Sequence, residues 1–255
     1  AGKVILATGC IERPIAFANN DRPGITLASA VRGMLERYGV APGTNGVVFT
    51  NNDDAYLTAL ALKKAGVNVR IVDSRARPQG TLVDRAAAEG IEVSASSVIS
   101  KVEGTLGIKA VKIAAYRKGQ GRVITEKKVE CDFIAVSGGW NPALHLWCHN
   151  GGKIRFDDEL ASFRPNTHTD AITAIGAANG TMSVAETLAE AIAAGEAAAK
   201  SVNSKAKSSK LKPAAVEEPV RGALEAIWFA PATGGYNEGN KHFIDYQNDV
   251  TAADL

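Results

Sequence analysis

Gly46-Val47-Val48-Phe49-Thr50-Asn51-Asn52-Asp53-Asp54-Ala55 opens the stretch that decides the fold. An apolar run gives way to four polar residues, then to helix formers from Ala55 to Ala65, which Gly66 stops. Val67–Val72 is apolar again and closes on Asp73. The order is strand, cap, helix, strand, and two strands joined through a helix pair in parallel. The strands do not alternate polar and apolar residues, so both their faces are expected to be covered. Asn51–Asp54 supplies the short polar side chains that cap a helix N-terminus.

Outward from this unit the pattern continues. Upstream, Leu27–Tyr38 places Leu27, Ala30, Val31, Met34, Leu35 and Tyr38 at helical spacing, and Gly39 ends it. Before it, Glu12–Gly24 reads as a loop and Val4–Ala7 as a strand running into Thr8-Gly9. A buried parallel strand at the first residues has no earlier neighbour, so the sequence is expected to begin inside a fold. Downstream, Leu82–Glu89 is a helix and Ile91–Val93 a strand. Val98–Glu103, Ile108–Tyr116 and Val123–Val129 form a β-meander. Cys131–Ser137 and Ala171–Ile175 are further buried strands, and Val184–Ser201 is a long alanine-rich helix. Residues 200–219 hold lysine, serine, alanine and proline with no apolar face, the composition of a solvated linker.

Three strands end in small residues: Thr8-Gly9, Gly138-Gly139 and Gly176-Ala177. Glycine after a strand lets backbone approach a nucleotide closely. All three, set around a βαβ-plus-meander insertion, give an α/β fold of two Rossmann-like dinucleotide-binding-type units, one interrupted by the other, as in two-domain flavoprotein reductases. The boundaries follow: 1–45 and 133–201 form a partial FAD/NAD-type domain lacking its first βαβ, 46–132 form an inserted NAD-type domain, 202–222 a linker, and 223–255 the start of something new.

The insertion lacks a phosphate cradle. A dinucleotide site would want Gly-x-Gly-x-x-Gly between Thr50 and Tyr56, where Asn51-Asn52-Asp53-Asp54 stands instead. A helix N-terminus offers an anion about 0.3–2 kcal/mol. Each carboxylate 4 Å from a phosphate repels it by about 4 kcal/mol at an effective dielectric constant of 20. Repulsion wins, so Asp53 and Asp54 read as caps in the phosphate position. Asp73, where a ribose-binding acid belongs, reads as a relic of the fold.

Composition narrows the function. The net charge is +2 and aromatic residues make up 6%, which argues against nucleic acid or a membrane surface as partner. Cys10, Cys131 and Cys148 are widely spaced and contain no Cys-x-x-Cys pair, the usage of a cytoplasmic protein without a dithiol redox centre. His145 and His149 stand four apart with no further ligand cluster nearby, which favours a short helix over a metal site. His168 and His242 are isolated. No catalytic residue and no metal ligand is expected in this chain.

Specific stretches carry a resemblance. Ala7-Thr8-Gly9-x-x-Glu12-Arg13-Pro14, Asn19-Asn20-Asp21-Arg22-Pro23-Gly24-Ile25, Arg37-Tyr38-Gly39-Val40-Ala41-Pro42-Gly43 and Val48-Phe49-Thr50-Asn51-Asn52-Asp53-Asp54-Ala55-Tyr56 resemble the α subunit of the heterotetrameric sarcosine oxidase family. So do Val136-Ser137-Gly138-Gly139-Trp140-Asn141-Pro142, Gly176-Ala177-Ala178-Asn179-Gly180 and Phe243-Ile244-Asp245-Tyr246-Gln247-Asn248-Asp249-Val250-Thr251. The last of these resembles the entry to that subunit's aminomethyltransferase-like, folate-binding half.

The resemblance implies a central part of that subunit. It implies partnership with β, γ and δ subunits, and tetrahydrofolate bound by the absent C-terminal half. It implies FAD and FMN in the complete complex and a non-redox NAD in this subunit. The whole enzyme would demethylate sarcosine oxidatively to glycine and form hydrogen peroxide. The one-carbon unit would pass to tetrahydrofolate or leave as formaldehyde. The cofactor-binding residues expected here are Thr8, Gly9, Gly176, Ala177, Met182 and Val184. Flavin-binding relatives of this layout carry Asp where Ala177 stands, and its loss fits NAD or an empty site better than FAD. The alternatives are an NAD(P)H-dependent FAD-containing oxidoreductase and a ligand-free assembly domain.

Overall fold

A computed structural model describes residues 2–121, 123–124, 126–166, 171–208, 210–233 and 241–255. His168, noted from sequence, lies outside the described residues. Two compact units emerge: residues 1–11 with 140–219, and residues 12–139 with 220–255.

The larger unit is built on a five-stranded sheet. Its spatial order is Ile25–Leu27, Phe133–Ser137, Asn45–Thr50, Asn68–Asp73, Glu92–Ser94, all parallel. The expected βαβ is its centre: Asn45–Thr50, helix Asp54–Lys64, then Asn68–Asp73. Alternate strand residues serve two cores. Val48, Ile71, Phe133 and Ala135 face helices Ala28–Tyr38, Asp54–Lys64 and Thr81–Ala88. Val47, Phe49, Val72, Ile134 and Val136 face the opposite way, against the antiparallel meander Ser97–Glu103, Ala110–Ala115, Glu126–Glu130. This two-sided cover is why the strands read as uninterrupted apolar runs. Gly39 closes its helix in the left-handed conformation at φ 66°, as its position in the sequence requires.

The smaller unit pairs Val4–Leu6 with Ile172–Ala174 in parallel. A single turn of 3₁₀ helix, Gly176–Asn179, and the helix Val184–Val202 follow. Residues 203–208 and 210–219 carry no helix or strand. Trypsin is therefore expected to cut the native chain first at Lys205, Lys207 or Lys210, as mass spectrometry of a time course would show. First cleavage within residues 46–132 would contradict the linker reading.

The compact units break at 11/12, 139/140 and 219/220, where the sequence reading drew its limits at 45/46, 132/133, 201/202 and 222/223. The reason is hydrogen bonding: Ile25–Leu27 and Phe133–Ser137 enter the same sheet as Asn45–Thr50. Helix Ala28–Tyr38 packs on Asp54–Lys64, where Thr58 Oγ1 donates to the Ala28 carbonyl at 3.0 Å. The segment read as the start of something new belongs to this unit as well, with Ile227 and Ala230 in its core. Among the described residues no helix is long and apolar enough to cross a membrane.

Candidate functional site

Parallel sheets bind ligands beyond the C-terminal ends of their strands, where successive strands depart in opposite directions. In the larger unit the chain runs from Asn45–Thr50 outward through Asn68–Asp73 to Glu92–Ser94, then returns to Phe133–Ser137 on the other side. The crevice therefore opens between Asn51 and Gly138. Residues 220–230 fill it. Asn51 Nδ2 donates to the Ile227 carbonyl at 3.0 Å and to the Gly138 carbonyl at 3.4 Å. The Glu225 N–H donates to the Asn51 carbonyl at 3.1 Å. Trp228 Nε1 donates to the Gly138 carbonyl at 2.9 Å, and the Arg13 guanidinium lies 4.5 Å from the Trp228 ring centre.

The acidic pair at the helix start has different work from that expected of it. The capping oxygen comes from Asn52, whose Oδ1 accepts from the Asp54 N–H at 3.0 Å, while Asp53 makes no side-chain cap. Asp53 instead pairs with Arg75 at 2.7 Å and accepts from the Gly222 N–H at 2.6 Å. Asp54 faces Arg32 at 3.5 Å and Arg221 at 3.9 Å. Asp73 is no relic. Fully buried, it pairs with Arg75 at 2.7 Å and accepts a hydrogen bond from the Tyr56 hydroxyl at 2.8 Å. Burial first, and then the Asp73 charge, push the Tyr56 hydroxyl well above its ordinary value. Burial would lower the Arg75 pKa, but hydrogen bonds and charge from Asp73 and Asp53 outweigh it and raise the value. Arg75 thus neutralises Asp53, Arg32 and Arg221 face Asp54, and the main chain of residues 222–225 lies against these strand ends. Neither Arg75 nor the 220–230 segment was readable from motif spacing, because Gly222 lies 169 positions from Asp53.

In the smaller unit the fold brings Thr8-Gly9 and Gly176-Ala177 to one sheet edge, since Leu6 is paired with Ala174 and the Ile175 N–H donates to the Leu6 carbonyl at 3.0 Å. Thr8 Oγ1 donates to the Ala143 carbonyl at 2.7 Å. Gly9 (φ 72°) has open space where a Cβ would stand, so its glycine serves conformation. A Cβ on Gly176 (φ 61°) would meet Thr187 Cγ2 at 2.9 Å, so this glycine also lets the long helix approach.

The anion-receptive amides there are engaged. Glu190 accepts from the Gly176 N–H at 2.7 Å and from Asn179 Nδ2 at 2.6 Å. Ser183 Oγ accepts from the Glu186 N–H at 3.1 Å, and the Glu218 carboxylate accepts from the Val184 N–H. Met182 is half-buried in the turn before this helix, and Val184 at its first position is 53% exposed. Sequence reasoning missed Glu190 and Glu218. Glu190 stands 14 positions from Gly176, and helical phase alone could have marked it as facing the strand end. These strand ends could receive a ribose or a base, but a diphosphate at the helix N-terminus would have to displace Glu218. Among the described residues no three His, Cys, Asp or Glu side chains gather into a metal site.

No protein-family model matches the chain. Sarcosine oxidase subunit alpha from Corynebacterium sp. (strain P-1) is 36% identical over 262 residues, covering 100% of this chain and 26% of that protein. The subunit of the same name from Rhizobium meliloti (strain 1021) is also 36% identical, again over all of this chain and 24% of its own length. The chain thus spans about a quarter of the length of the curated relatives it matches. Among solved structures, T. acidophilum thioredoxin reductase superposes with a TM-score of 0.58 at 18% identity over 80% of this chain and 66% of its own. That likeness establishes the α/β fold with Rossmann-like units.

Proposed function

This chain is related over its whole length to one part of sarcosine oxidase subunit alpha, and from that premise we propose that it is a section of the α subunit of a heterotetrameric sarcosine oxidase. The observation that carries the reading is sequence identity of 36% extending over all of this chain. The complete enzyme would oxidise the N-methyl group of sarcosine to give glycine and hydrogen peroxide. Its one-carbon product would go to tetrahydrofolate or be released as formaldehyde. FAD and FMN would supply the redox chemistry elsewhere in an assembly with β, γ and δ subunits. The three free cysteines suit a cytoplasmic enzyme.

Within this scheme the smaller unit is the nucleotide holder. A non-redox NAD would lie along Gly176–Val184, with Thr8 and Gly9 at the neighbouring strand end. The open space beside Gly9 leaves room for a ribose, and Met182 and Val184 offer apolar contact to a ring. The amides of Gly176 and Val184 are engaged by Glu190 and Glu218, so in this reading the diphosphate is held mainly by backbone elsewhere in the full subunit. These 255 residues should accordingly bind NAD weakly and the full subunit tightly.

Ala177→Asp in the full-length subunit tests the location. A carboxylate there would stand against the ribose, and the affinity of the subunit for NAD, followed as NAD recovered by acid release after equilibration at graded NAD concentrations, should fall by about tenfold, the effect of roughly 1.4 kcal/mol. Undiminished NAD in a folded variant would place the cofactor elsewhere. A ligand-free assembly role draws support from Glu190 and Glu218, which satisfy the same amides internally. Absence of NAD from the purified full-length subunit would favour that second reading. The NAD(P)H-dependent reductase is disfavoured by the filled crevice of the larger unit, and neither NADH nor NADPH should give heat of binding to that unit in a calorimetric titration.

A further inference from the structure

We infer that the crevice of the larger unit is a peptide-binding site, occupied in cis by residues 220–230, so that an extended polypeptide has replaced the dinucleotide as ligand. The segment is held along its length by main-chain bonds, as a bound peptide would be. The Thr81 N–H donates to the Val220 carbonyl at 3.0 Å, and the Val220 N–H donates to Thr81 Oγ1 at 3.1 Å. The Gly222 N–H reaches Asp53, and Arg75 Nη1 donates to the Ala223 carbonyl at 3.2 Å. The Glu225 N–H and the Ile227 carbonyl bracket Asn51. The Ala16 N–H donates to the Trp228 carbonyl, and the Ala230 N–H returns to the Ala16 carbonyl, both at 2.8 Å.

The receptor walls are shaped for this chain. A Cβ on Gly80 would lie 2.7 Å from the Val220 carbonyl, and one on Gly139 would lie 2.5 Å from Leu224 Cδ1. On the ligand side, a Cβ on Gly222 would lie 2.3 Å from the Gln79 carbonyl. Glycines, which let a nucleotide backbone approach closely in folds of this kind, serve equally to admit a peptide backbone. Ile227 and Ala230 provide the anchors, 6% and 0% exposed, and Trp228 adds its indole bond and the stack on Arg13. Asp53 contributes an acceptor for a peptide N–H, the opposite of what a phosphate needs. The residues that abolish one ligand therefore specify the other.

The test is to cut the chain and ask whether the segment stays. A recognition sequence for a site-specific protease inserted between Ala206 and Lys207 allows one cut in the folded chain. Residues 207–255 should then remain bound through gel filtration at about 1 μM and separate only in denaturant. Glu217→Ala, at an exposed linker position, should leave this retention unchanged, whereas Asn51→Ala with Trp228→Ala should weaken it by roughly tenfold or more, as loss of two centrally placed contacts does. Millimolar NADH should not release the segment. In the uncut, unmutated chain, the Gly222 and Glu225 amides should exchange with deuterium at least about 100-fold more slowly than those of Ala214–Glu217. Spontaneous release after cutting, displacement by NADH, retention untouched by the double substitution, or strap amides exchanging as fast as the linker would each overturn the inference.

Discussion

Arg75→Ala is expected to destabilise the larger unit by about 3–5 kcal/mol, because removing one member of a buried ion network leaves its partners charged and unpaired. Arg75 is 5% exposed in its side chain and meets Asp53 and Asp73 at 2.7 Å each, themselves 1% and 0% exposed. Three of its guanidinium bonds go to Asp73, from Nε at 3.0 and 3.2 Å and from Nη2 at 2.7 Å. No other residue type spans two carboxylates and a carbonyl with one planar fork, so Arg75→Lys should recover only part of the loss. Adding Asp53→Asn to Arg75→Ala should recover some stability by removing one orphaned charge. Urea denaturation followed by circular dichroism gives the comparison. A loss no larger than that of the exposed Arg85→Ala would remove the network from the account of this fold.

Phe49→Ala should cost a similar amount, about 3–5 kcal/mol, from lost burial and the cavity left behind. Phe49 is fully buried on the central strand and meets Phe17 edge to face, with ring centres 5.7 Å apart and planes at 70°. It belongs to the core shared by the sheet, the meander and the 220–230 segment, whose members include Val98, Val111 and Ile227. The variant should therefore loosen the meander as well as the sheet, and the Val111 amide should lose protection from hydrogen exchange. Leu106→Ala, at a side chain 95% exposed, should stay within about 0.5 kcal/mol of the parent. If Phe49→Ala were equally mild, the meander and sheet would not share one core.

The order of elements was legible because periodicity and punctuation are local. Val47–Phe49 with Val69–Val72 reads as paired buried strands from composition alone, and Gly39 and Gly66 mark helix ends that the backbone then adopts at φ 66° and 82°. The lack of a glycine fingerprint at Asn51–Asp54 was legible too, since missing glycines and added carboxylates are facts of sequence. The clustering of Thr8-Gly9 with Gly176-Ala177 followed from the rule that parallel strands end together.

Tertiary structure alone decided which residues share a compact unit, because that depends on the sheet joining Ile25–Leu27, Phe133–Ser137 and Asn45–Thr50 rather than on glycine turns between them. It alone turned Asp53 and Asp73 from an assumed cap and an assumed relic into the two sides of an Arg75 network. A carboxylate's role is set by the cation that folding delivers to it. Arg75 arrives from the next strand end, while the peptide that completes the site arrives from 169 positions away at Gly222. No local pattern records such a distance. Composition marked residues 200–219 as unable to form a core, and it could not show that the residues just beyond them fill the crevice a nucleotide would have used.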